Sequence, residues 1–301
     1  MSNREKRKIV VGGAGLMGLG IAHAFATAGY RVVLVDIDAA ALDKSVAAIS
    51  EIIASGVRLG KLTEHIGRQA MDRLSTSLDL ATSFSDAELL VETASESLAV
   101  KTQIVRVADA GLPENALIAT NTSALSVTEI AAATRNPARV VGMHFFNPVH
   151  KMKLVEVVRG LATSDAAIAR AREYSDELGK TSIVVNESPG LTTSRMSVLL
   201  GNEAMYMLME GIANAEDIDT ALTLGFNHPM GPLELGDLTG WDTRLAVLQY
   251  LHQTLGEKFR PCPLINKMVK AGRTGRKSGH GVYVYENGRK VPGSGLKASA
   301  L

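Results

Sequence analysis

Cysteine is nearly absent: Cys262 stands alone in 301 residues. No internal disulfide can form, no cluster of thiolates can hold a metal, and a reducing, cytoplasmic setting is the default expectation. The seven histidines are scattered and no H-E-x-x-H pair occurs, so no metal site is expected. Net charge is also lacking, with 32 Lys+Arg against 31 Asp+Glu. That balance speaks against a nucleic-acid coat. It hides a gradient, because residues 258–297 hold ten Lys/Arg and one acid, Glu286. A basic end on an acidic body fits an anionic ligand, a partner or a solvated tail. With 46% hydrophobic and 21% charged residues, the composition excludes disorder, collagen and coiled coil. The length suggests two domains.

A third absence lies near the start. Residues 9–30 contain no Asp, Glu, Lys or Arg and follow a basic stretch, Arg4 to Lys8. A signal peptide or membrane span would look similar. Six of those 22 residues are glycine, however, and His23 sits among them. Glycine costs about 1 kcal/mol per helix position relative to alanine, so a folded segment is expected and no membrane contact.

What is present there is a pattern. Residues 8–11 read as a short buried strand. Gly13-Ala14-Gly15-Leu16-Met17-Gly18 follows, then a helix, then a second strand at 31–35 ending on Asp36. This is the strand–GxGxxG–helix–strand–acid order of a nicotinamide-nucleotide site. Gly13 permits a tight turn, Gly15 admits a pyrophosphate, and Gly18 lets helix and strand pack closely. The helix N-terminus offers free N–H groups to the phosphates. The Asp36 carboxylate can accept both ribose hydroxyls and would repel a 2′-phosphate, and Ile37 supplies no cation, so NAD is favoured over NADP. A glycine turn in a flavin or other nucleotide fold is the competing reading.

Strand patterns recur at 89–91, 117–120, 140–143, 153–158 and 182–185, with helical stretches such as 100–110 and 164–178 between them. That alternation predicts an α/β Rossmann-type, doubly wound and largely parallel sheet. Residues 153–158 follow the previous strand after a short loop and fit an antiparallel partner. Beyond Ser188-Pro189-Gly190 the pattern turns helical almost to the end, at 192–210, 215–224, 233–255 and 264–271. The expected domains are therefore 1–187 and an all-α 188–301. Within the first, Asn121-Thr122-Ser123 follows a strand end, and His144 precedes Glu156 by twelve residues. A histidine on a strand-end loop with an orienting carboxylate is a general-base arrangement, though a His–Glu pair at this spacing is most often structural.

These motifs, together with His144-Phe145-Phe146-Asn147-Pro148-Val149, Met152 to Val157, His228 to Asp237 and Ala271 to Gly279, run in one order through residues 7–286. In that order the sequence resembles the 3-hydroxyacyl-CoA dehydrogenases, and among them looks like the stand-alone short-chain members. The resemblance implies oxidation of an L-3-hydroxyacyl-CoA by NAD and the reverse reduction. It implies His144 as the catalytic acid/base, Glu156 as its orienting partner and Ser123 as a hydrogen-bond donor to the substrate oxygen. It places Asp36, Glu92, Asn147 and Lys277 along the NAD site, and makes the helical domain close the acyl pocket and form a homodimer.

Two departures stand out. Ser194 occupies the position where the family often has Asn, and it can still donate one hydrogen bond to substrate. Ser97 stands where longer relatives carry a lysine near NAD. Coenzyme A is polyanionic, so Arg58 and Lys61 are candidate handles for it, or else merely a solvated helix end. Two rival readings remain at this stage. One is a dehydrogenase of a free hydroxy acid, of gulonate or carnitine type. The other is a non-catalytic NAD-binding protein.

Overall fold

The structure, a computed structural model, describes residues 7–298, which divide between Ser188 and Pro189 into two compact units. The first alternates strand and helix: β1 (Lys8–Gly12), α1 (Leu16–Thr27), β2 (Arg31–Val35), α2 (Ala39–Arg58), α3 (Glu64–Asp72) and β3 (Leu74–Ser77). It continues with β4 (Ala87–Glu92), α4 (Leu98–Gly111), β5 (Leu117–Thr120), α5 (Val127–Ala131), β6 (Val140–Phe145), β7 (Leu154–Arg159), α6 (Asp165–Glu177) and β8 (Thr181–Asn186). The eight strands form one sheet in the order β3-β2-β1-β4-β5-β6-β7-β8. All neighbours are parallel except β6 and β7, the short-loop pair expected to be antiparallel.

Alternating residues of each inner strand go to opposite faces. Ile9, Val11, Leu89, Val91 and Val141 join one apolar cluster, with Ile21 and Phe25 of α1. Val10, Leu90, Ile118 and Val140 join the other, with Val105 and Ala108 of α4. A sheet covered on both faces needs continuous apolar strands, and each such side chain contributes about 1.5–3 kcal/mol. The uncharged run 9–30 is thereby explained: β1 and α1 are buried. Among the described residues no helix is long and apolar enough to cross a membrane.

Helix starts differ in a way that matters for function. Side chains of Asp38, Thr63, Ser126 and Ser164 cap α2, α3, α5 and α6. The first residue before α1 is Gly15, which has no side chain to offer, so its N-terminal N–H groups are left to a ligand.

The second unit holds α7 (Thr193–Met209), α8 (Ala215–Gly225), α9 (Pro232–Thr239), α10 (Trp241–Leu255) and α11 (Pro263–Lys270). The single helix expected over 233–255 is two, broken at Gly240, whose φ of +92° no helix accommodates. The expectation of helix almost to the end also fails. A hairpin of β9 (Tyr285–Glu286) and β10 (Arg289–Lys290) turns at Asn287-Gly288, both with positive φ, a dipeptide suited to this turn. Much of the basic end is neutralised locally. Arg260, Lys277, Lys290 and Lys297 pair with Glu257, Asp242, Glu234 and Glu216.

Candidate active site

The fingerprint glycines have distinct physical tasks. Gly13 sits at φ +114°, and a Cβ there would lie 2.8 Å from the backbone of Thr93 and Ala94 at the end of β4. A Cβ on Gly18 would lie 1.8 Å from the Gly13 carbonyl oxygen. Above Gly15 nothing comes within 4 Å, which leaves the space a pyrophosphate needs. Leu16 beside it is exposed, Met17 is half-buried, and Ala14 is buried beneath. The Ala14 N–H donates to Asp36 Oδ2 at 2.7 Å, and the Asp38 N–H donates to Oδ1 at 3.1 Å. Two lone-pair positions per oxygen leave Asp36 capacity for ribose hydroxyls. Ser45 of α2, which the sequence reading did not single out, donates to the Ala14 carbonyl at 2.5 Å and pins the loop from below.

A second group gathers at the C-terminal ends of β4 and β5, where open α/β sheets bind ligands. Glu92, expected beside NAD, has no exposed surface. Its carboxylate accepts from Lys101 Nζ at 3.0 and 3.1 Å, the Ala94 N–H at 2.7 Å and Thr120 Oγ1 at 2.6 Å. Burial pushes its carboxyl above the ordinary range, against the pull of Lys101 and Thr120. Glu92 therefore braces the strand ends from within. The carboxylate that reaches the open end is Glu96, which sequence reasoning missed. Its Oε1 accepts from Thr122 Oγ1 at 2.5 Å and from the N–H groups of Ser123 and Ala124 at 3.1 and 3.3 Å. Position in the loop just past β4 was the available signal. Ser123 is thus held by its backbone, with its side chain exposed. The nearby ammonium comes from Lys101, one turn past Ser97, and it also donates to the Asn121 carbonyl at 3.1 Å.

β6 brings the third group. Its antiparallel register with β7 sets His144 directly opposite Glu156, so the twelve-residue separation becomes a contact. His144 Nδ1 lies 2.7 Å from Glu156 Oε2, with Glu156 fully buried and His144 8% exposed. A carboxylate partner makes Nδ1 the protonated nitrogen and leaves Nε2 to a substrate. The Phe146 ring lies 4.6 Å from the imidazole. The Asn121 amide oxygen accepts from the Phe145 N–H at 2.9 Å, tying the Ser123 loop to the histidine strand. Asn147 follows on the exposed loop.

The remaining expected residues belong to other elements. Ser194 sits half-buried in the first turn of α7. Lys277 Nζ lies 2.6 Å from Asp242 Oδ2. Arg58 pairs with Glu51 at 2.7 Å, whereas Lys61 has no ion pair among the described residues.

The residues present fit a dinucleotide: an open cradle over Gly15, an uncapped helix start, and a carboxylate at the end of β2. Residues 8–188 match the family of the 3-hydroxyacyl-CoA dehydrogenase NAD-binding domain, and residues 190–285 match that of its C-terminal domain. A probable 3-hydroxybutyryl-CoA dehydrogenase of Bacillus subtilis is 44% identical over 94% of this chain and 98% of its own length. The 3-hydroxybutyryl-CoA dehydrogenase of Bradyrhizobium diazoefficiens is 43% identical over 95% of this chain and 98% of its own. The crystal structure of an (S)-3-hydroxybutyryl-CoA dehydrogenase from Ralstonia eutropha superposes with a TM-score of 0.89 at 43% identity, covering 93% of this chain and 99% of that one. With its NAD-binding sheet, its helical second unit and both family domains in place, the chain belongs to the 3-hydroxyacyl-CoA dehydrogenase family.

Proposed function

We propose that the protein oxidises short-chain L-3-hydroxyacyl-CoA, with 3-hydroxybutyryl-CoA as substrate, and catalyses the reverse reduction. The observation that carries this reading is the buried Glu156–His144 pair with Nε2 left over, on the strand next to the Ser123 loop. His144 Nε2 takes the proton of the 3-hydroxyl, and Glu156 holds the Nδ1–H and stabilises the imidazolium that forms. Ser123 donates a hydrogen bond to the same oxygen, with Glu96 fixing its backbone. In reduction the protonated His144 returns its proton to the 3-keto oxygen. NAD, when bound, supplies the acceptor for the hydride of C3. Gly13, Ala14, Gly15, Leu16, Met17, Gly18 and Asp36 hold it, with Asn147 and Lys277 as further contacts and Glu92 as a brace. Ser194 gives a second hydrogen bond to substrate, and Arg58 and Lys61 serve the CoA.

Two finer points belong to the same reading. The helical unit pairs two copies of the chain, supported by Met196 and Leu200, exposed one turn apart on α7. A solution mass of 31.9 kDa would count against the pairing. The lone, buried Cys262 supports a cytoplasmic setting. The substrate is tested by comparing acetoacetyl-CoA with acetoacetate as oxidants of NADH. Reduction of the thioester at least about a hundredfold faster is expected. Equal rates would favour the free-acid reading.

A further inference from the structure

Two carbonyls of the loop after β6 converge on a buried ammonium that the mechanism does not use. Lys180, just before β8, donates from Nζ to the Val149 carbonyl at 2.6 Å and to the Met152 carbonyl at 2.7 Å. Among the described residues no backbone N–H reaches either oxygen. Backbone bonds fix the lysine at its base. Its own N–H donates to the Ser175 carbonyl at 3.0 Å, and the Thr181 N–H donates to the Lys153 carbonyl at 2.7 Å. The N–H groups of Lys151 and Met152 both donate to the Pro148 carbonyl, which folds residues 148–152 into a turn. The same turn meets α1. Val149 is buried against Gly20, where a Cβ would lie 2.8 Å from Val149 Cγ2. His150 stands edge-on to the buried ring of His23, with centroids 6.1 Å apart. Burying an ammonium without a counter-charge is costly. Among the described residues no carboxylate pairs with Lys180, and burial holds it below the usual lysine value. What the charge adds is stiffness, because charge-assisted hydrogen bonds are shorter and stronger than neutral ones.

We propose that Lys180 is a positioning residue for the cofactor: it clamps the Val149–Met152 turn against α1 and so holds Asn147 in place for NAD. The proposal rests on the reading that Asn147 contacts NAD. Asn147 is exposed and stands two residues before Val149, and Phe146 before it lies against the His144 imidazole at 4.6 Å. The clamp closes from two sides. Gly20 leaves room for the Val149 side chain, and Lys180 draws in the carbonyls at both ends of the turn. α1 begins at the Gly15 cradle, so one helix carries both the pyrophosphate end of the site and the surface that seats the turn. From Gly15 to Gly20 is about 7.5 Å along that helix. A rigid helix of this length fixes the spacing between the two contacts to one dinucleotide. Without the ammonium both carbonyls lose their donor, and the turn must move to reach water. Asn147 moves with it, whereas His144 stays on β6 opposite Glu156.

NADH titration followed by fluorescence, together with steady-state kinetics, tests the clamp. Lys180→Met keeps the length of the side chain and removes its charge and donors. Its Kd for NADH is expected to rise about tenfold. Its kcat at saturating NADH and its KM for acetoacetyl-CoA stay within about threefold, a split that a general loss of structure would not give. Asn147→Ala raises the Kd by a similar factor. Adding Lys180→Met to Asn147→Ala changes the Kd by less than about twofold, because both act through one contact. Gly20→Ala is favoured by helix propensity, so the protein folds, but its Cβ presses on Val149 and raises the Kd for NADH about threefold. An unchanged Kd in Lys180→Met, or full additivity with Asn147→Ala, overturns the positioning role and leaves the reaction standing. If Lys180→Met does not fold, Gly20→Ala decides, and an unchanged Kd there overturns the clamp. If Asn147→Ala binds NADH as the wild type does, the contact is refuted and the clamp falls with it.

Discussion

In the strand-rich unit the two fully buried glutamates face groups that carry or exchange a proton: Glu156 meets His144, and Glu92 meets Lys101. In the helical unit the buried aspartates take their hydrogen bonds from neutral donors, with Lys290 and Arg273 acting on them from further off. Asp237 accepts from Trp241 Nε1 at 2.7 Å and from the Val282 and Tyr283 N–H groups at 2.8 Å. Asp219 accepts from the Leu233 and Glu234 N–H groups and from the Tyr283 hydroxyl. Burial pushes both aspartates up from the ordinary carboxylate range. The buried carboxyl group thus does two jobs. A carboxylate opposite an imidazole can steady a charge that comes and goes. One ringed by N–H donors organises backbone, here tying α9 and the hairpin segment to the helices, and stands outside the chemistry.

The sharpest way to break this contrast is to remove each side in turn. His144→Ala should lower kcat by about 10³–10⁴, the worth of a positioned general base, while NADH titration shows binding retained. Glu156→Gln should cost about 10²-fold or more, because the amide misdirects the imidazole tautomer. A loss below about tenfold in either would remove the chemistry from that pair. Asp237→Ala strands three buried donors and should cost about 4 kcal/mol in urea unfolding. Turnover per folded molecule should stay within about twofold. A large fall in turnover would erase the division of labour between the units.

Acid sensitivity has a source in the strand-rich unit. His23 is held at about 4 from an ordinary 6.5 by burial, His150 and Lys180. As pH falls the unfolded chain takes up this proton first. The contribution is complete above 6.5 and is lost between 6.5 and about 4, amounting to about 3 kcal/mol. Urea melts of the wild type and His23→Phe across that range should diverge, with the variant flatter. Parallel curves would show that His23 does not titrate this way. A smaller effect is expected at Asp36. Asp36→Ser should raise KM for NADH about tenfold and narrow the preference over NADPH. An unchanged ratio would detach Asp36 from the ribose.

The sheet was readable because Val, Ile and Leu runs alternate with helical periods, and the glycine turn because only glycine survives at Gly13 and Gly18. The Gly240 break was not, since the apolar period of α9 and α10 passes through it and only a positive φ ends it. The hairpin was legible in Asn287-Gly288 and overlooked beside longer helical patterns. At the site, His144 and Glu156 were visible as residues, whereas Glu96, Lys101 and Ser45 were not. Their partners lie 26, 20 and 31 residues away, and no local spacing encodes such hydrogen bonds.

By itself the sequence determined the order of elements, the nucleotide cradle and the kind of chemistry, because these depend on local periodicity, on glycine's missing side chain and on residue type. Tertiary structure alone decided which acids meet which partners. The β6–β7 register put Glu156 against His144, crossing elements buried Glu92 and freed Glu96 to hold Ser123, and the fold set His150 edge-on to the buried His23. Burial and counter-charge are properties of packed surroundings, and they set one carboxylate against an imidazole and make another a brace.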